Sequence, residues 1–223
     1  MSPVSGVPGP KLPFSARLMG RKRLSHDVFE VELERPQAFR FSAGQSIRVF
    51  AGETGRDYSL AGGPSAGRLS LCVRLVEGGT VSPLLAGAAP GTVVTFTGPH
   101  GVFTFPGSPR PVVWAATGVG IAPFRSMVRD GATGFTLLHG VRQGSELFYR
   151  KELAAAAARY VPCLSRETAP GCFSGRVTAW AAVNLAPGAY DIFLCGNRRM
   201  VRDFLVLVDE RFPGSRVFTE IFF

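Results

Sequence analysis

The chain has 223 residues, 46% of them hydrophobic, which is enough apolar surface for one large core or two modest ones. Its formal net charge of +9, with the run Arg21-Lys22-Arg23, favours acidic partners without choosing among nucleic acid, anionic lipid and acidic protein. No apolar run reaches the roughly 20 residues of a membrane helix and no apolar signal core opens the chain, so a soluble cytoplasmic protein without membrane attachment is the expectation.

Residues 1–13 are rich in Pro and Gly without periodicity and read as a flexible tail. From Phe29 the period is two. Phe29, Val31 and Leu33 alternate with Glu30, Glu32 and Glu34, while Leu69, Leu71, Val73 and Leu75 alternate with Arg68, Ser70, Cys72 and Arg74. Such runs are half-buried antiparallel strands, and the recurring Gly and Pro turns between them fit a small barrel or sandwich. After Phe105-Pro106-Gly107-Ser108-Pro109 the pattern changes. Short apolar runs at 112–116, 135–139, 161–165 and 191–195 alternate with segments of helical period, as in a parallel sheet flanked by helices. In the last such segment Met200, Val201, Phe204, Leu205 and Val208 form one stripe from Asn197 to Arg211. Gly131 closes the helix that Pro123 opens. The reading divides the chain into a barrel domain over 14–108 and an α/β domain over 109–223.

Several stretches carry chemistry. Arg56-Asp57-Tyr58-Ser59 sets a cation, an aromatic ring and a hydroxyl at a strand end, which suits stacking beside a phosphate. Gly79-Thr80-Val81-Ser82-Pro83 reads as a turn, an N-cap serine and a helix-opening proline, a place for a second anionic group or simply a capped helix. The run Val112–Ala116 turns through Thr117-Gly118-Val119-Gly120 into a helix whose free N–H groups can take a pyrophosphate; taken alone, the pattern equally suits tight packing. Cys195-Gly196-Asn197 ends a later strand at the same edge, where ligands of open α/β sheets collect. The four cysteines, Cys72, Cys163, Cys172 and Cys195, contain no CxxC, so neither a zinc site nor a thiolate-ligated iron–sulfur cluster has its expected spacing. Only scattered charge speaks for nucleic acid.

Taken in order, Arg56 to Ser59, Gly79 to Ser82, Gly98 to Phe103, Thr117 to Pro123, Cys195 to Asn197 and the terminal Glu220-Ile221-Phe222-Phe223 resemble the motif set of the ferredoxin-NADP reductase family, bacterial type. The resemblance implies an N-terminal flavin-binding antiparallel β-barrel followed by a C-terminal α/β domain with a five-stranded parallel sheet that binds NADP(H). Arg56 would bind flavin phosphate, Tyr58 would pack on the isoalloxazine, and Ser59 would hydrogen-bond near its N5. Gly79, Val81 and Ser82 would hold the pyrophosphate, and Leu71 to Val73 would line the nucleotide through main-chain groups. Asp57 would be a solvated charge. Thr117, Gly118 and Gly120 would receive the NADP(H) pyrophosphate, with Cys195 and Gly196 beside the nicotinamide. Glu220 would be the active-site carboxylate, and Phe222 the flavin-covering aromatic residue, with Phe223 beyond it. Glu220 with the terminal phenylalanines equally suits an edge strand closing a core.

Ser165-Arg166, Gly175-Arg176 and Arg142 resemble the family's 2'-phosphate contacts, which favours NADPH, while Glu167 leaves NADH open. The Ser82 segment favours FAD over FMN. The implied activity is hydride exchange between NADP(H) and flavin, with electrons passed singly to an acidic carrier such as ferredoxin or flavodoxin, by a monomer. A reductase for free flavin, ferric complexes or an oxygenase component, or a flavin-binding subunit inactive toward nicotinamide, would share these motifs.

Overall fold

The computed structural model describes residues 13–222, and of Phe222 the backbone alone. The expected tail therefore lies, except for Pro13, outside the described residues, as do Phe223 and the Phe222 ring.

The first half forms a six-stranded antiparallel sheet from β1 (Phe14–Arg23), β2 (Val28–Glu34), β3 (Ser46–Ala51), β4 (Thr54–Ser59), β5 (Arg68–Arg74) and β6 (Val93–His100), in the order β4-β3-β6-β1-β2-β5. Helix α1 (Val81–Gly87) connects β5 to β6. The two ends of the sheet meet just past β4, where Leu60 bridges Leu71 and the Ala61 N–H donates to Ser70 O at 2.7 Å, so the sheet curls into a barrel. Val31, Leu33, Leu69, Leu71 and Val73 fill its centre as their alternation predicts. Phe39 stands edge-on to Phe14 and Phe96, with centroids 5.2 Å away in each pair.

One expectation fails in an informative way. Strand β5 is buried on both faces rather than one, because Ser70 and Cys72 on its outer face are covered by the second half of the chain. The outer face of β5 is the seam of the molecule.

The second half is a parallel sheet of β7 (Val112–Thr117), β8 (Thr136–Val141), β9 (Arg159–Leu164), β10 (Phe173–Ser174), β11 (Asp191–Asn197) and β12 (Arg216–Phe222), ordered β10-β9-β8-β7-β11-β12. The expected five strands are present. The sixth is the two-residue β10, too short to show any period. Helices α2 (Ala122–Arg129), α3 (Arg150–Ala156), α4 (Val177–Asn184) and α5 (Arg198–Arg211) connect them. In α5 the buried stripe is Met200, Val201, Phe204, Leu207 and Val208. Leu205, expected inside, is 38% exposed, because the helix turns Leu207 and not Leu205 toward the sheet.

The strand order reverses between β7 and β11, so the carboxyl ends of these two strands border the crevice where such sheets collect ligands. Beneath it, Trp114 is fully buried between Phe124 and Phe135, with centroids 5.0 and 3.7 Å away. The connecting segment after β6 joins this core, Phe103 packing on Phe193 and Phe105 on Trp114. Trp114→Ala should cost about 3–5 kcal/mol in chemical denaturation, since no neighbour can fill the space; a loss below about 1 kcal/mol would contradict this packing.

Candidate functional site

A cleft of about 1600 Å³ runs along the seam between barrel and parallel sheet, well above the ~300–1,000 Å³ of a single small-molecule pocket. Its barrel wall is the end of β4, the outer face of β5 and the turn before α1. Its opposite wall is the loops at the carboxyl ends of β7, β8, β9 and β11.

Strand pairing explains how Arg56 to Ser59 is displayed. Asp57 and Ser59 lie opposite Arg48 and Ser46 of β3 and share their face, whereas Tyr58 lies opposite Ile47 and packs partly against the barrel core. Asp57 is exposed as expected but ion-paired, 3.0 Å from Arg48. Burial pushes the Tyr58 phenol up to about 12 against the pull of Arg56, so the ring is a neutral surface beside a cation. Ser59 is buried and donates to Glu220 Oε1 of β12 at 2.7 Å, across 161 residues of sequence. The motif at the start of the barrel wall and the carboxylate near the C-terminus thus form one contact.

The turn before α1 differs from expectation. The residue preceding the helix is Thr80, and Ser82 sits inside its first turn. The Ser82 hydroxyl is engaged with the Val76 N–H at 3.0 Å, which pins the 76–79 turn instead of capping the helix. Gly79 lines the cleft beside it, while the Val81 side chain is directed into the barrel core. Leu71 and Val73 are also core side chains. The cleft face of β5 is Cys72 and Arg74, which the motif reading missed although the period-two alternation put both opposite the core.

On the other wall Gly118 adopts φ +55°, which favours glycine, and a Cβ there would come within 3.4 Å of Arg74 Nη2. Arg74 therefore stands between the two walls, its Nε 3.4 Å from Asp27. At Gly120 a Cβ would fall 2.4 Å from the Cys195 carbonyl oxygen, so only glycine lets the turn rest on β11. Thr117 Oγ1 accepts from both the backbone N–H and the side-chain amide of Asn197 at 3.0 Å, tying the ends of β7 and β11 together beside Gly196. Cys195 is not at the cleft surface. Its side chain is wholly buried beneath it, and burial, with Glu220 adding, raises the thiol well above its usual range. At neutral pH it is therefore a protonated thiol packed under the turn.

Farther along the wall lie Arg142, Ser165 and Arg176, with exposed Arg166 just outside the lining. Ser165 Oγ donates to Val141 O at 3.2 Å. The acids nearby are already engaged. Glu146 accepts from the Arg142 and Gln143 N–H groups at 2.8 and 3.1 Å, and Glu167 from the Gly144 N–H at 2.6 Å. His26, Asp27 and Glu146 bring potential metal ligands within 4.8 Å of one another. The Arg74 guanidinium beside Asp27 and the two amides on Glu146 already meet the charge of these carboxylates.

The donor set suits two anionic dinucleotides. Arg56 and Arg74 supply positive charge, Tyr58 a flat neutral ring, and Gly79 and Gly118 places where backbone can approach a phosphate, while Gly120 is buried against β11 and lies outside the lining.

Comparison with known proteins agrees with this geometry. Residues 15–105 match the family model of the oxidoreductase FAD-binding domain, and residues 115–205 that of the oxidoreductase NAD-binding domain. Ferredoxin--NADP reductase B of Sorangium cellulosum is 38% identical over 216 residues, covering 85% of this chain and 88% of that protein. The electron transfer component of xylene/toluene monooxygenase from Pseudomonas putida is 31% identical over 84% of this chain, which spans only 59% of that longer protein. Among solved structures, a ferredoxin NADP+ reductase from Neisseria gonorrhoeae with bound FAD and NADP superposes with a TM-score of 0.83 at 26% identity, over 95% of this chain and 99% of that one.

Burial raises the Glu220 carboxyl above the ordinary range, the Ser59 hydroxyl opposes, and Asp57 adds to the rise. The folded protein thus holds this proton more tightly than the unfolded chain. The associated stabilisation is present below the unfolded carboxyl pKa and is lost as pH rises through the raised folded value. Glu220→Gln should remove that loss, so the melting temperature of the variant minus that of the parent should grow between about pH 4 and pH 8. A difference that stays flat would mean that Glu220 is not perturbed.

Proposed function

Because the chain belongs to the ferredoxin-NADP reductase family, we propose that it is an FAD-dependent NADPH oxidoreductase that exchanges electrons with an acidic one-electron carrier of the ferredoxin or flavodoxin kind. The observation that carries this reading is the Ser59–Glu220 contact in the lining of the cleft, which joins a wall suited to one dinucleotide to a wall suited to another. Bound FAD supplies the ability to take a hydride as an electron pair and release electrons singly. The four cysteines lack the spacing of an iron–sulfur cluster, so none of these 223 residues supplies the one-electron carrier.

In this reading the barrel, 14–108, holds the flavin and the α/β unit, 109–223, holds the nicotinamide nucleotide. Arg56 binds flavin phosphate while the turn pinned by Ser82 presents its amides to the pyrophosphate. Tyr58 stacks on the ring. Ser59 and Glu220 hold a proton at the ring edge, and the raised carboxyl makes Glu220 a fitting proton holder near neutral pH. The Gly118 turn, seated on β11 through Gly120, would receive the second pyrophosphate, with Arg74 beside the same turn. Phe222, whose side chain lies outside the described residues, would be the aromatic residue that covers the flavin until nicotinamide binds. Cys195 acts from beneath, as the floor on which the Gly120 turn rests.

The coenzyme preference rests on charge. A 2'-phosphate needs cations, whereas a ribose 2'-hydroxyl is usually held by an acid. Arg142, Arg166 and Arg176 point to NADPH, and the acids that could have held NADH, Glu146 and Glu167, are spent on backbone amides. The likeness to an oxygenase electron transfer component supports a second reading, in which the acceptor is an oxygenase system. The four cysteines are free thiols, consistent with a reducing cytoplasm, and nothing in the reaction requires more than a monomer.

The purified protein should bind FAD and be bleached by anaerobic NADPH more readily than by NADH; a colourless protein that takes up no flavin would refute the reading. Replacing Arg142 and Arg176 together by Ala should raise the KM for NADPH by about tenfold or more while leaving that for NADH within about twofold, as expected for charge-assisted contacts. Equal effects on both coenzymes would remove the 2'-phosphate assignment. Carrier reduction should slow as salt rises across the Debye range of about 30 to 3 Å; indifference to salt would argue against a charged docking face.

A further inference from the structure

Behind the cleft, outside its lining, lies a cluster of paired charges centred on one buried arginine. Helix α2 starts at the Thr117–Gly120 turn and leans its side on the barrel. Arg125, 5% exposed, pairs through Nη1 with Glu30 of β2 and through Nε with Glu152 of α3 at 3.0 Å. Ser70 of β5 donates to the same Glu30 oxygen at 2.7 Å, and Arg129 donates to Glu152 at 2.6 Å. The Arg125 guanidinium also stacks over the Tyr149 ring at 3.7 Å. Tyr149 holds a left-handed backbone, φ +60°, unusual for a bulky residue, and its buried hydroxyl, without a conventional hydrogen-bond partner, faces the Cys72 sulfur on the cleft wall. One residue along α2, Ser126 donates to the Gly62 carbonyl of the barrel at 2.7 Å.

We infer that Arg125 is a positioning residue: by clamping α2 to β2 it sets the distance between the nicotinamide-nucleotide turn and the flavin wall, and hence the approach of the two rings. The inference rests on the reading above.

Each dinucleotide is anchored to a different half of the chain, so ring contact is only as accurate as the relation between the halves. Hydride transfer needs reacting atoms at about 3–3.5 Å, and a misplacement of about 1 Å can cost about 100-fold in rate. A guanidinium suits the task because its planar fork fixes two carboxylates and a ring face at once. A lysine at 125 keeps the charge but has no fork. A buried ion cluster of this kind is weak evidence for stability, since apolar packing could hold the halves as firmly; what it adds is a single defined geometry.

The test compares Arg125→Lys and Glu30→Gln with the parent. Flavin-loaded protein is mixed anaerobically with NADPH, and the saturating rate of flavin bleaching is separated from the apparent Kd. Arg125→Lys should lose at least about tenfold in the saturating rate while the Kd for NADPH changes by less than about threefold. A purely structural role would lower the melting temperature and leave the saturating rate of the flavin-loaded fraction untouched. The second readout needs no activity. Nitroxides at E53C and V183C, exposed positions on the two halves, in a C172S background should give one narrow distance distribution in the parent and a broadened one in Arg125→Lys. An unchanged saturating rate overturns the inference, whatever the distances show. Should Arg125→Lys fail to keep its flavin, Glu30→Gln, of nearly the same shape, is judged by the same two criteria. Should NADPH fail to reduce the parent at all, the functional reading falls and the distance distributions alone decide the clamp; unbroadened distributions in both variants overturn it.

Discussion

The hydrogen bond from Ser59 to Glu220 is the point on which the molecule turns. It joins the last residue of β4 to the last strand of the chain and closes a seam that neither half could form alone. A carboxyl drawn into such a seam meets an acidic neighbour and loses water, so its proton is held more tightly than in solution. The same burial that perturbs Glu220 also makes the place useful, because a hydroxyl and a protonatable carboxyl sit where two flat rings can meet away from bulk water.

The rest of the architecture keeps that seam in register. Glycines at 118 and 120 let the turn after β7 settle against β11, and Thr117 locks it to Asn197. Arg74 bridges toward the same turn from the barrel. Helix α2 runs from that turn and carries Arg125 and Ser126 onto the barrel. The turn proposed to receive a phosphate and the contact between the halves are therefore built from one continuous stretch, 117–129. A protein that must bring two separately anchored rings together gains accuracy when the anchor and the brace are the same element.

The fold class was legible because it is written in periodicity. The alternation of 29–34 and 68–75 predicted strands, and β2 and β5 pair over seven residues. The change to short apolar runs after Pro106 predicted the parallel sheet. What periodicity could not show was which strand face meets another half of the chain. Ser70 and Cys72 read as the wet side of β5 and are buried, since burial against a distant element leaves no local signature. The run Pro123-Phe124-Arg125-Ser126 likewise carries no local sign that Arg125 is buried. Ser82 illustrates a further limit: the residue type suggested a cap, but its hydroxyl reached Val76, six residues back, a partner that only turn geometry reveals. Leu205 falls just off the buried stripe of α5, where Leu207 takes the place expected of it.

In the proposed function one ring would meet the other face to face across the Ser59–Glu220 seam. Reduction of the flavin-loaded protein by NADPH carrying deuterium at one or the other of the two C4 positions reports that arrangement. A cleft that fixes the nicotinamide by one face predicts a primary isotope effect on flavin bleaching for one stereoisomer and none for the other. Equal effects from both, or no effect from either, would show that the two rings do not meet as described.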